Sequence, residues 1–130
     1  MVDALHEAHA VLRPGGTLID LRPDSSHPPL VRWGRTEIGG LYERREAVRD
    51  HRASDRAVAR VVREGQFRLI RAGQFWYALP KMDLRALDAW VAQSRRIGGF
   101  TRGTRAALAK DPEHLINVRR ALAYGIYRRI

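Results

Sequence analysis

The tetrad Arg13-Pro14-Gly15-Gly16 constrains this chain more than any other stretch. Proline has no backbone N–H to give, and glycine takes up backbone angles that other residues avoid, so neither a helix nor a strand runs through these four positions. On the N-terminal side, Leu5, Ala8, Val11 and Leu12 recur at helical spacing. On the other side, Thr17-Leu18-Ile19-Asp20-Leu21 is a short β-branched and apolar run, the pattern of a buried strand. A helix ending near Leu12 therefore turns at once into a strand, and an α/β fold follows.

The remaining elements read from local signals. Arg22 to Pro29 is polar and proline-rich, hence a loop, while Leu30 to Trp33 and Glu37 to Tyr42 form a hairpin turning at Gly34-Arg35. Ser54 caps a helix over 54–64 with Ala57, Val58, Val61 and Val62 on one face, and Gly65 sits where a left-handed cap ends it. Gln66 to Ile70 and Gln74 to Leu79 are rich in strand formers, and Ala72-Gly73 between them reads as a tight reversal. Asp83 caps a helix carrying Leu84, Leu87, Trp90 and Val91. Asp111-Pro112-Glu113 reads as the start of a C-terminal helix bearing Leu115, Val118, Leu122 and Ile126.

The chain has 130 residues, 45% of them hydrophobic, which suits one domain with a single core. No apolar run approaches the ~20 residues of a membrane helix, and the N-terminus lacks a basic region followed by an apolar one, so the expected setting is soluble and cytoplasmic. With no cysteine there is no disulfide, thiolate metal site or cysteine nucleophile. The 24 Lys plus Arg against 14 Asp plus Glu leave a net charge of +10, almost all of it arginine. Arginine's planar fork suits phosphate and carboxylate, so a nucleic acid or another anionic partner is one expectation.

The run from Leu5 to Ile19, with its leucine-arginine-proline-glycine-glycine turn between helix and strand, resembles a segment of class I S-adenosylmethionine-dependent methyltransferases. In that family such a helix feeds the fifth strand of a Rossmann-like sheet. Helix 54–64, the entry Gly65-Gln66-Phe67 and the aromatic run Phe75-Trp76-Tyr77 follow in the family's order. The resemblance covers roughly residues 3–92 and leaves 94–130 as a helical extension. It implies a partial methyltransferase sheet: one parallel-type strand, Thr17 to Leu21, beside Phe75 to Leu79, with Phe67 to Ile70 outside. It also implies that the cofactor half is missing, since no glycine-rich strand-to-helix turn occurs and no cofactor-binding residue carries over. The expectation is then a methyltransferase-related chain, truncated or split, that meets S-adenosylmethionine only if a partner supplies the missing half. The strand edge so exposed calls for a homodimer or a separate cofactor-binding chain.

Candidate chemistry gathers at two places. Asp20, Arg22, Asp24 and His27 lie at or just beyond the carboxyl end of the first strand, where open α/β sheets place ligands. Asp24 or His27 would serve as general base, and Asp20 and Arg22 would hold a substrate; Asp24-Ser25-Ser26 also reads as plain turn chemistry. Arg56, Arg60 and Arg63 form a stripe opposite the valine face of helix 54–64, and Arg68 and Arg71 extend it, which is the pattern of a phosphate track or of a solvated face. His6 and His9 share a helix face, but spacing fixes no third ligand, so no metal site is expected. Ser25, Ser26 and Ser54 lack a nucleophile-elbow context. Phe75, Trp76 and Tyr77 offer stacking faces, though alternation turns Trp76 away from its neighbours.

Overall fold

The computed structural model describes all 130 residues. It is an α/β fold with four helices and a six-stranded antiparallel sheet. The elements are α1 (Val2–Val11), β1 (Thr17–Pro23), β2 (Leu30–Trp33), β3 (Thr36–Glu43), α2 (Arg45–Arg63), β4 (Phe67–Ala78), α3 (Leu84–Gln93), β5 (Ile97–Phe100), α4 (Thr104–Leu108) and β6 (Asn117–Arg129). No helix is long and apolar enough to cross a membrane.

The chain divides into two compact units. The first holds Met1–Pro23, Arg49–Phe75 and Leu122–Ile130; the second holds Asp24–Val48 and Trp76–Ala121.

In the first unit, α1 stops at Leu12 and the proline-glycine turn follows. Gly15 takes a φ of +77°, and a Cβ on Gly16 would lie 2.8 Å from the Arg13 carbonyl oxygen, so the turn closes only without side chains. The Arg129 guanidinium donates to the Leu12 carbonyl, and Gly15 N–H donates to Arg129 O at 3.0 Å. β1 runs antiparallel to the C-terminal part of β6, with Leu18 opposite Tyr127, Asp20 opposite Gly125 and Arg22 opposite Ala123. Leu18 and Tyr127 pack onto a core of Leu5, Ala57, Val58, Val61 and Phe67. Strand alternation therefore turns Ile19 and Leu21 to the opposite face, where they are 65% and 54% exposed. β1 is half open rather than buried, and its second edge has no strand partner.

In the second unit, β2 pairs with β3, β3 with β5, and β2 with the start of β6. The hairpin turns at Gly34, φ +57°, as its sequence implies. The core is Val31, Leu41, Leu84, Leu87, Ile97, Leu108, Ile116 and Val118. Asp83 caps α3 as read, accepting from Ala86 N–H at 2.9 Å.

Several expectations are corrected. The expected C-terminal helix is β6. Val118, Leu122 and Ile126 are four apart, which fits a helix face but, being even, also fits one face of a strand. Pairing decides between the two, because β6 finds β1, β2 and β4 as partners. Asp111-Pro112-Glu113 lies in turns instead of opening a helix. Residues 94–130, read as helical, hold two strands and one short helix.

The expected hairpin at Ala72-Gly73 is one continuous strand, β4. A two-residue reversal needs positive φ, and Gly73 is not among the four glycines that have it. Its missing side chain instead makes room for Tyr124, whose hydroxyl would lie 2.6 Å from a Cβ there. The neighbour of β1 is accordingly β6, not the Phe75 to Leu79 segment, and β1 is antiparallel to it, not a parallel-type strand. Helix α2 begins nine residues before Ser54, so Ser54 is interior to it; Gly65, φ +75°, does end it. Val11, placed on the apolar face of the first helix, is 81% exposed.

Candidate functional site

The loop after β1 begins with Asp24, which is 8% exposed, an unusual position for an aspartate. One carboxylate oxygen, Oδ1, accepts from Ser26 N–H at 2.9 Å, and the other, Oδ2, lies 2.8 Å from His27 Nδ1. His27 N–H also donates to the Asp24 carbonyl at 3.1 Å. The loop is thus both a turn and an acid–imidazole pair. A carboxylate only accepts, so Nδ1 carries the proton and a neutral ring keeps its lone pair on Nε2. The His27 side chain is 52% exposed, and the ring meets the Trp76 edge at 6.1 Å between centroids. This arrangement suits a general base whose carboxylate fixes the tautomer and stabilises the imidazolium.

Beside it, Ser25 Oγ donates to Glu43 Oε2 at 2.8 Å, and Arg96 Nη2 donates to the same oxygen at 3.1 Å. The Glu43 side chain is only 4% exposed, so the ion pair is held in low dielectric with a hydroxyl completing it. Glu43 and Arg96 escaped the sequence reading because 53 residues separate them and neither lies in a motif.

In the first unit, Asp20 and Arg22 come together as read, but toward each other. Arg22 Nε donates to both Asp20 oxygens at 3.1 and 3.0 Å, Nη2 donates to Asp55 at 2.8 Å, and Nη1 donates to His51 O at 3.2 Å. Burial pulls the guanidinium pKa down, but the hydrogen bonds and charges of Asp20 and Asp55 outweigh it and leave it above its ordinary value. Every Arg22 nitrogen is engaged, so it anchors β1 to α2 and offers no free fork to a substrate. Burial, with Asp20 adding to it, pushes the nearby Tyr127 phenol up from its ordinary value.

Arg56, Arg60, Arg63, Arg68 and Arg71 are all exposed. Arg60 is tied to Glu64 at 2.7 Å, and Glu64 also lies 3.3 Å from His6. The other four make no ion pair. His9 turns to Ile130 O at 3.4 Å and to the Phe67 ring, so His6 and His9 serve different partners. No group of three or more His, Asp or Glu side chains is arranged to hold a metal ion. Phe75 lies beside Tyr124, Trp76 against His27, and Trp90 packs on the second core beneath the Arg120 guanidinium.

Comparison with known protein families, with curated proteins and with solved structures finds no match for this chain.

Proposed function

We propose that this chain is related to the substrate-side half of class I S-adenosylmethionine-dependent methyltransferases, and that it holds and deprotonates a methyl acceptor while another polypeptide binds the cofactor. One observation carries the reading: in the first unit a helix ends in a proline-glycine-glycine turn into β1, and β6 pairs with both β1 and β4. The resemblance puts Phe75 to Leu79 beside β1; β6 occupies that place instead, antiparallel to β1, and pairs with β4 as well.

The residues present do not fit the cofactor itself. Gly15-Gly16 precedes a strand instead of joining one to a helix. Around Gly39 the space a Cβ would take is filled by Thr104, and at Gly98-Gly99 by the Tyr42 ring, so neither glycine pair leaves a cradle for a ligand. The acceptor chemistry belongs to His27: Nε2 takes the proton of a hydroxyl or amine, and Asp24 holds the resulting imidazolium. Such a base is worth roughly 10²- to 10⁴-fold in rate.

Photo-cross-linking of tritiated S-adenosylmethionine in cell extract tests the reading. Label is expected on a protein that co-purifies with this chain, and not on the chain. Label on the chain alone, or calorimetric binding of the cofactor to the pure chain in the low micromolar range, overturns it.

A second reading rests on the unpaired arginines. Arg56, Arg63, Arg68 and Arg71, exposed and without acidic partners, support a non-catalytic module for nucleic acid. Its signature would be affinity for duplex or single-stranded oligonucleotides that falls steeply with salt, with a slope near −0.7 to −0.9 per neutralised phosphate.

A further inference from the structure

A groove of about 380 Å³ opens beside α2 in the first unit, floored by Val58, Ala59 and Val62 of that helix and walled by Leu69 of β4. Leu69 is 48% exposed there, a large apolar side chain left in water by the fold's own packing. The groove lies within the volume range of small-molecule sites, and its lining is apolar with charge only at its margins. At one margin Arg22 is shared between Asp55 and Asp20, so every charge there is engaged in an ion pair although the triad keeps one net negative charge. At another Arg63 is exposed and has no acidic partner, and Arg71, also unpaired, follows two residues after Leu69 along β4. The Tyr127 ring belongs to the same lining, and burial pushes its phenol up from its ordinary value.

We infer that this groove binds an amphipathic carboxylate: a hydrocarbon tail over Val58, Ala59, Val62 and Leu69, and a carboxyl head at Arg63. Two features select this class. The floor offers no polar group that a sugar or nucleoside would need to satisfy its hydroxyls, and leaving those unpaired is costly. The one charged side chain on the lining without an ion-pair partner is Arg63, which favours an anionic head over an ammonium at that end. The inference is independent of the methyltransferase reading, since it uses neither Asp24 nor His27.

Calorimetric titration with hexanoate, octanoate and decanoate, each below its micellar concentration, is the test, with n-decylamine as the opposite-charge control. Each buried methylene is expected to tighten binding about fourfold, so decanoate exceeds octanoate by about fifteenfold. Arg63→Gln should weaken all three carboxylates by a similar factor of about five, leaving the chain-length dependence intact. Ala59→Trp, at an exposed helix position, should fill the groove and abolish saturable binding without moving the denaturation midpoint; Leu69→Glu does the same from the opposite wall. Absence of saturable decanoate binding up to about 1 mM overturns the inference. So does equal binding of decylamine, or binding that survives both groove variants, because either outcome describes surfactant adsorbed to a basic surface.

Discussion

The two units are packed to different standards. The second closes on itself: six of its eight core residues are fully buried and the other two are no more than 5% exposed, and only Tyr42 and Leu115 of its large apolar side chains stand in water. The first has five core residues, two of them alanine and valine at 4% and 7%, and leaves Val11, Ile19, Leu21, Leu69, Ile70 and Phe75 exposed. One region hides its apolar surface; the other displays it. Displayed apolar surface beside an unpaired strand edge is surface that soluble proteins usually cover, and folding stability is expected to reside chiefly in the second unit.

The largest expected effect tests the stability half of that contrast. Leu87, with no exposed surface, should lose about 3 kcal/mol when changed to alanine, whereas Leu69→Ala should cost under about 0.5 kcal/mol by chemical denaturation. Comparable losses would erase the distinction. Gly39→Ala comes next: its Cβ would overlap the Thr104 hydroxyl and methyl, and Thr104 is buried, so a cost of about 1–3 kcal/mol is expected without change in the first unit's amide exchange.

Tyr127 sharpens the comparison by pH. Its folded pKa lies above the unfolded value, so its contribution is fully present below the unfolded pKa, near 10, and is lost as pH rises through the folded one. Alkaline titration followed by tyrosinate absorbance should show a late step that Tyr127→Phe removes, with protection lost first in the first unit. The smallest effect on folding is expected from Ile19→Lys, within about 0.5 kcal/mol, because the side chain is already in water. Its consequence should be in association: if β1 is a docking edge for a second copy or another chain, sedimentation of the wild type shows a complex that this variant lacks. A wild type that sediments as a clean monomer and captures no partner would leave the open face without a role.

Local chemistry was legible where one residue decides the outcome. The Pro14-Gly15-Gly16 turn, the Asp83 cap, the Gly34 turn and the Gly65 helix end all follow from backbone freedom or a single side-chain hydrogen bond. β6 was not legible, because four-residue spacing serves helix and strand alike and only its distant partners choose. Gly73 misled for a related reason: glycine signals a turn locally, but here it makes room for Tyr124, 51 residues away in sequence. Of the candidate site, Asp24 and His27 do meet, as two residues three apart in one loop can, and Asp20 and Arg22 do meet. Asp55, Glu43 and Arg96, which decide what those residues are free to do, arrive from other elements and carried no local signal.

β6 also sets a timetable. Thr17 pairs with Arg128 and Leu30 with Arg119, so the strand that completes both units leaves the ribosome long after its partners. At about 5–20 residues per second, β1 waits roughly 5–20 s as an unpaired apolar strand before its complement exists. Through that interval Thr17-Leu18-Ile19 is open to any nascent neighbour with a free edge, which makes slow codons late in the message more hazardous than early ones.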